Sequence, residues 1–342
     1  MAATGLTRRE RIAGGLMGLL VGDALGVPYE FHAPQDLPPQ AEIEMTPPPG
    51  FRRAHVGVPP GTWSDDGAQA LVLLDSLLAK GRLDLEHFAH GLTRWLHQGF
   101  YAVNSSVFDM GAQTATAINR LMQGIPADRS GPNEESRNGN GALMRVLPLV
   151  LWHQGDDDEL AWLAARQSLP THGHPRSQAA CAVYCLWARG VLEGSESPWD
   201  AAAEKLRRMD ELFPKKEIEL VLDPGNRSRT KGTGYVLDCL WSARRAVEET
   251  SSYEDCVRMA IAFGHDTDTT AAVAGGVAGL KYGRDGVPER WRVALRGQVL
   301  AAPLFGESPQ GGWSNEIRAE DSIHALIAVH TDAGITGYGS VF

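Results

Sequence analysis

The chain has 342 residues, 43% hydrophobic and 22% charged, which is the composition of a globular protein long enough to bury a substantial core. Its formal net charge of −10 excludes general nucleic-acid binding and adhesion to anionic membranes, although it does not exclude a local pocket for one nucleotide. Cys181 and Cys185 lie one helical turn apart and Cys239 and Cys256 are isolated, a pattern that suits a reduced cytoplasmic protein better than a disulfide framework or a zinc site.

Thr7 and Glu10 have the spacing of a capping box, so a helix is predicted to start there and run through "RIAGGLMGLLVGDALG". Its apolar run is short and cut by Asp23, which argues against a signal peptide or a membrane span. Gly14, Gly15, Gly18 and Gly22 would let a second helix approach closely, which makes this a central helix. Asp23, an acid inside an apolar helix, needs a partner, and a structural hydrogen-bonding role near the site is expected. Residues 32–61 are rich in proline, which forbids a regular helix or a central strand and predicts a long structured loop. Asp36, Glu42 and Glu44 within it read as surface acids.

From Ser64 onward the pattern is helical. "AQALVLLDSLLAKG", "DLEHFAHGLTRWLHQG", "MGAQTATAINRLMQG", "GALMRVLPLVLWHQG", "DELAWLAARQSL", "PRSQAACAVYCLWARGVLEG", "SPWDAAAEKLRRMDELF", "GTGYVLDCLWSARRAVEE", "SYEDCVRMAIAFG" and "DTTAAVAGGVAGLKYG" each place apolar residues at helical spacing, and most close on glycine. Strand-like alternation is weak, near "EIELVL" and "ITGYGSVF". Trp152, Trp162, Trp187 and Trp241 read as core, and "GDDDEL" as a solvated helix start. No fixed-period repeat and no dividing linker is present, so residues 1–342 are expected to form a single all-α globule.

Two acidic groups stand out. Ser64 fits an N-cap with Asp65 and Asp66 in the first turn behind it. Asp266 and Asp268, followed by Thr269, again precede a helix with no polar face. Acids at helix starts are favoured by the dipole alone, but carboxylates at the mouths of buried helices are costly unless neutralised. No Lys or Arg is close in sequence, so a divalent cation is the natural partner, and hard carboxylate and hydroxyl oxygens suit Mg²⁺, Mn²⁺ or Ca²⁺. Four carboxylates can hold two such ions if the fold brings residues 66 and 266 together.

The stretches "GLLVGDALGVPYEF", "WSDDGAQALVLLDSL", "NGNGALMRVLPL", "THGHPRSQAA", "TGYVLDCLWSA" and "GHDTDTTAAVAGGVAGLKYG" together resemble the ADP-ribosylglycohydrolase family, also called the dinitrogenase-reductase-activating glycohydrolase family. The resemblance implies an all-α fold, two Mg²⁺ or Mn²⁺ ions, and cleavage of the glycosidic bond between ADP-ribose and a protein side chain or small molecule. It assigns Ser64 (usually threonine in the family), Asp65, Asp66, Asp266, Asp268 and Thr269 to the metals. It assigns Glu30, Asp66 and Asp109 to catalysis, with Glu30 facing the metals or the attacking water. Asn138, Gly139, Asn140, Gly141 and His172 are assigned to the substrate; the first four precede a helix expected near Ala142, whose free N–H groups would cradle the diphosphate. His174 and His265 are left structural, and the 32–61 loop is a candidate lid. A cytoplasmic monomer acting on an ADP-ribosylated protein or small molecule is expected, with no membrane partner. Two rival readings stand beside this one: an inactive ADP-ribose-binding or structural member of the fold, and a dinuclear-metal nucleotide phosphoesterase.

Overall fold

The computed structural model describes residues 5–305 and two short strands, β1 (Leu326–His330) and β2 (Thr336–Ser340), paired antiparallel with Leu326 opposite Ser340. Everything else regular is helical: α1 (Arg8–Gly26), α2 (Asp65–Lys80), α3 (Leu85–Gln98), α4 (Ala112–Met122), α5 (Ala127–Ser130), α6 (Leu147–Trp152), α7 (Asp157–Ser168), α8 (Pro175–Leu192), α9 (Pro198–Arg207), α10 (Lys215–Leu222), α11 (Val236–Glu249), α12 (Tyr253–Ala262), α13 (Thr267–Tyr282), α14 (Glu289–Ala294) and α15 (Gln298–Ala301). The protein is all-α, as the periodicity predicts. The strand expected in "ITGYGSVF" is β2 over Thr336–Ser340, and the flanking residues of that stretch lie outside the described residues.

The capping box at Thr7 and Glu10 is formed, each side chain bonding the other's backbone N–H. The helix it starts is the axis of the fold. α1 runs antiparallel to α13, which is buried along nearly its whole length. A Cβ added to Gly14, Gly18 or Gly22 would lie 2.2 Å from the backbone oxygens of Gly279, Gly275 and Ala271. Side chains are absent where the two backbones touch, so the helices approach more closely than ordinary ridge-and-groove packing allows. By length and composition the Arg8–Tyr29 segment could span a membrane, but 89% of its apolar window is buried inside the fold.

One hydrophobic core surrounds this pair. α2 and α6 cover one side, and α8 and α11 another, through an edge-to-face series of Tyr184, Trp187, Trp199 and Trp241. Trp162 departs from expectation: it is 46% exposed on α7 with Arg166 over its ring. Trp152 is half-buried.

Two expectations of secondary structure also need correction. "EIELVL" is not a strand but part of α10, because Glu217, Ile218, Val221 and Leu222 recur at helical spacing and face inward. "GALMRVLPLVLWHQG" is helical only from Leu147, one residue before Pro148; the Gly141–Arg145 stretch is a run of turns. The proline-rich loop carries short 3₁₀ turns at Pro34–Asp36 and Gln40–Glu42 and is tied down firmly. Ile43 and Met45 enter the core, and Tyr29 brackets Glu44, donating to its carbonyl and accepting from its N–H. Glu44 is no free surface acid, since Arg258, Arg290 and Trp291 all bond its carboxylate.

Candidate active site

Antiparallel packing of α1 on α13 brings the C-terminal end of the first helix to the N-terminal end of the other. Gly26 sits so close to Asp268 that an added Cβ would fall 2.4 Å from its Cα. A third helix end joins them. Asp23 accepts from the backbone N–H of Ser64 (2.9 and 3.0 Å) and of Gly67 (2.7 Å), which fixes the start of α2 against α1. Ser64 is the N-cap of α2, its Oγ accepting from Asp66 N at 3.3 Å. Three helix ends therefore converge, and each carries acid.

The two acidic groups of the sequence meet directly. Thr269 Oγ1 donates to Asp66 Oδ1 at 3.2 Å, across 203 positions of sequence. Carboxylate oxygens of Asp23, Asp66 and Asp268 lie within 4.8 Å of one another, as do those of Glu30, Asp266 and Asp268. Asp268 Oδ1 accepts from the N–H of Thr269, Asp266 Oδ2 from Asn140, and Asp65 Oδ2 from Gln69. Asp66 Oδ2 and Asp268 Oδ2 are buried and accept nothing. Among the described residues no Lys or Arg forms an ion pair with Asp65, Asp66, Asp266 or Asp268.

That arrangement is electrostatically costly. Burial, followed by the neighbouring carboxylates, pushes Asp65, Asp66 and Asp268 well above the usual carboxylate range. Burial likewise raises Asp23 to about 7, against the pull of its two backbone donors. Glu30 is pushed up to about 10 by burial and then by Asp109 and Asp266. Such a set must take up protons or cations. Carboxylate oxygens with two buried lone-pair positions unused fit a hard divalent cation.

The cleft above this floor has a volume of about 660 Å³. Glu30, Asp65, Asp66, Asp109, Asp266 and Thr269 line it, together with the 138–141 turn and His172. Ser64 and Asp268 are buried and do not line it. Glu30 Oε2 is 2.7 Å from Nε2 of His55, and Asp109 lies within 4.8 Å of both. His55 comes from the proline-rich loop and has φ +47°; no local pattern marks it in the sequence. Phe31, 70% exposed, and Tyr235, 41% exposed, form apolar parts of the rim.

The 138–141 turn lines the cleft but does not form the expected helix-start cradle. The N–H of Gly139 donates to Gln113 Oε1 and that of Asn140 to the Gly234 carbonyl, so neither is free for a phosphate. The Asn138 amide is used between the Glu135 carbonyl and Ser177 Oγ. These bonds clasp the turn to neighbouring segments, and an isolated bridge between Gly139 and Tyr235 extends the clasp. His174 caps α8 by accepting from Arg176 N, a structural role as expected. Gln113, which no motif marks in the sequence, ties Gly139 to the carbonyls of Arg137 and Thr171.

Fold and site together define an all-α protein with a cleft whose floor of aspartates, among the described residues, pairs with no Lys or Arg. The chain belongs to the ADP-ribosylglycohydrolase family, whose profile matches residues 4–317, and it is a hydrolase of glycosidic bonds by that membership. It is 30% identical over 308 residues to ADP-ribosylarginine hydrolase Tri1 of Pseudomonas putida (strain GB-1), covering 88% of this chain and 79% of that protein. It is 30% identical over 288 residues to ADP-ribosyl-[dinitrogen reductase] glycohydrolase of Rhodospirillum rubrum, covering 84% and 91%. A solved structure described as an ADP-ribosylglycohydrolase-related protein complex superposes with a TM-score of 0.69 at 32% identity, over 86% of this chain and 95% of that one.

Proposed function

We propose that this protein is a divalent-cation-dependent ADP-ribosylhydrolase that releases ADP-ribose from a modified acceptor. The observation that carries the reading is the pair of buried carboxylate oxygens, Asp66 Oδ2 and Asp268 Oδ2, that face a carboxylate cluster and accept no hydrogen bond. Asp65, Asp66, Asp266, Asp268 and the hydroxyl of Thr269 would hold Mg²⁺ or Mn²⁺, with Ser64 beneath them at the start of α2. Two bound cations would supply positive charge that binds and fixes the ribose hydroxyls.

The remaining chemistry belongs to the chain. Glycosidic cleavage passes through an oxocarbenium-like state, and a carboxylate beside the anomeric carbon both stabilises that charge and orients water. Glu30 suits the second task. Its Oε2 is engaged by His55, its Oε1 makes no hydrogen bond among the described residues, and the side chain lines the cleft. Asp109, held at φ +53°, adds negative charge on the same wall. His172 and the 138–141 turn complete the lining and orient the substrate. Four unpaired, buried cysteines fit a reducing compartment such as the cytoplasm.

Arginine-linked ADP-ribose comes first among acceptors, on the activity named for the Pseudomonas putida relative. The test is a release assay with defined arginine-, serine- and metabolite-linked ADP-ribose in Mg²⁺ or Mn²⁺. Free ADP-ribose is the expected product; free phosphate would favour a phosphoesterase. Asp66→Asn and Asp268→Asn are expected to abolish release, and full activity in either would refute the assignment.

A further inference from the structure

Behind His172 lies a buried polar network that the proposed reaction does not itself require. Arg145 is completely buried, and so is Thr171. The guanidinium donates from Nη1 to Gln69 Oε1 (2.8 Å), from Nε to Gln167 Oε1 (3.3 Å), and from Nη2 to the Gln167 carbonyl (3.1 Å) and Thr171 Oγ1 (2.7 Å). The Phe88 ring lies 5.0 Å from its centre. On the far side of the same hydroxyl, His172 Nδ1 is 2.8 Å from Thr171 Oγ1.

We propose that Thr171, held by Arg145, is a positioning residue that fixes His172 as its Nε2–H tautomer, so that the imidazole presents a hydrogen-bond donor to an oxygen of the ligand in the cleft. The identity of that ligand as ADP-ribose rests on the function proposed above; the tautomer does not.

A guanidinium has donors only, so Thr171 Oγ1 must accept from Arg145. The hydroxyl still has one proton to place. Among the described residues the only other group bonded to Oγ1 is His172 Nδ1, and a buried hydroxyl proton without an acceptor is costly. Nδ1 therefore accepts, and the single proton of the neutral ring sits on Nε2. The ring is neutral because burial, and then the Arg145 charge, push it down to about 3. Nε2 makes no hydrogen bond among the described residues, and it points where two glycines leave room. A Cβ on Gly141 would fall 2.8 Å from His172 Cε1 and 3.3 Å from Nε2, and one on Gly139 3.3 Å from Nε2. His172 lines the cleft there.

The experiment is a long-range ¹H–¹⁵N correlation on the [¹⁵N]histidine-labelled full chain, with His172 resonances identified by their loss in His172→Asn. The wild type is expected to show an unprotonated Nδ1 and a protonated Nε2 across neutral pH. Thr171→Val should move the ring toward Nδ1–H or a mixture and weaken ADP-ribose binding about tenfold, the scale of one lost hydrogen bond. Thr171→Ser, which keeps the hydroxyl, should restore both. An Nδ1–H or imidazolium ring in the wild type overturns the proposal even if Thr171→Val does not fold. An unchanged tautomer in a folded Thr171→Val also overturns it, as does a changed tautomer with unchanged ADP-ribose affinity. Wild-type protein that binds no ADP-ribose overturns the donor role together with the proposed function, but leaves the tautomer standing.

Discussion

The Asp23 carboxylate, one turn from the end of α1, accepts the backbone N–H groups of Ser64 and Gly67 at 2.7 to 3.0 Å. One side chain thus closes the N-terminus of α2 and sets Asp66 against Asp268. Asp23→Ala would leave two buried donors without acceptors, a loss of about 3 kcal/mol in unfolding free energy. Asp23→Asn keeps one acceptor but turns an N–H₂ toward a backbone N–H, so a smaller loss is expected. Denaturant unfolding measures both; an Asp23→Ala protein as stable as wild type would show that α2 is anchored by other means.

The carboxylate cluster predicts effects of opposite sign with and without metal. In chelator, removing a charge should relieve repulsion, so Asp66→Asn or Asp268→Asn is expected to melt no lower than wild type. In Mg²⁺ or Mn²⁺ the wild type should gain about 2.7 kcal/mol at a hundred times the dissociation constant, a rise of several degrees. Both variants should lose most of that gain. Thermal denaturation with and without chelator reads all four conditions, and a wild-type melting temperature indifferent to either cation would defeat the ligand assignment.

Much of this arrangement is legible in the sequence because its signals are local. A capping box, a serine before two aspartates, and acids ahead of a helix without a polar face can each be read in a single window. Asp23 is conspicuous as a charge inside an apolar run, and its need for a partner follows from burial alone. What escapes is whatever depends on chain return. His55 reaches Glu30 from a loop whose prolines forbid regular structure but do not say where it folds. Arg145, Gln69 and Thr171 form one network from three separate segments, with no spacing to announce it. The 138–141 turn is half legible for a related reason. Glycine and asparagine announce a turn, but that Gly139 and Asn140 donate to Gln113 and Gly234 depends on segments distant in sequence.

Glu44 shows how a residue that reads as a surface acid becomes an anchor, and it predicts a pH dependence. Burial alone would raise its carboxyl, but hydrogen bonds from Arg290 and Trp291, with the charges of Arg290 and Arg258, outweigh that and hold it below the usual range. A lowered native value means that the unfolded chain binds the proton more readily. The contribution is therefore fully present above the unfolded value of about 4.3 and is lost as pH falls through the lowered native value. Wild type should exceed Glu44→Gln in stability at neutral pH, and the two should converge in acid. A difference that stays constant from neutral pH down to the acid limit would mean that charge is not what ties the loop to α12.

Gly18 offers the sharpest test of the central helix pair. Its missing side chain faces the Gly275 carbonyl at a distance where a Cβ would sit 2.2 Å away, with the Tyr253 ring at 3.0 Å. The Tyr253 hydroxyl also donates to the Gly18 carbonyl at 2.7 Å. In an exposed helix alanine would be preferred to glycine by about 1 kcal/mol. Here backbone must move, because no flexible side chain can give way, and overpacking of a tight core costs about 1–3 kcal/mol or more. Gly18→Ala should therefore destabilise despite its better helix propensity. The displacement should not stay local, since α1 carries Asp23 and leads to Glu30 while α13 carries Asp268. Separating the helices by even a fraction of an ångström widens the gap between the acids that must share a cation. The expected outcome is a lower melting temperature together with a weaker stabilisation by Mg²⁺ or Mn²⁺ than in wild type. Gly81→Ala, placed at φ +61° with no atom within 4 Å, is the control: it strains the end of α2 but should leave the cation effect intact.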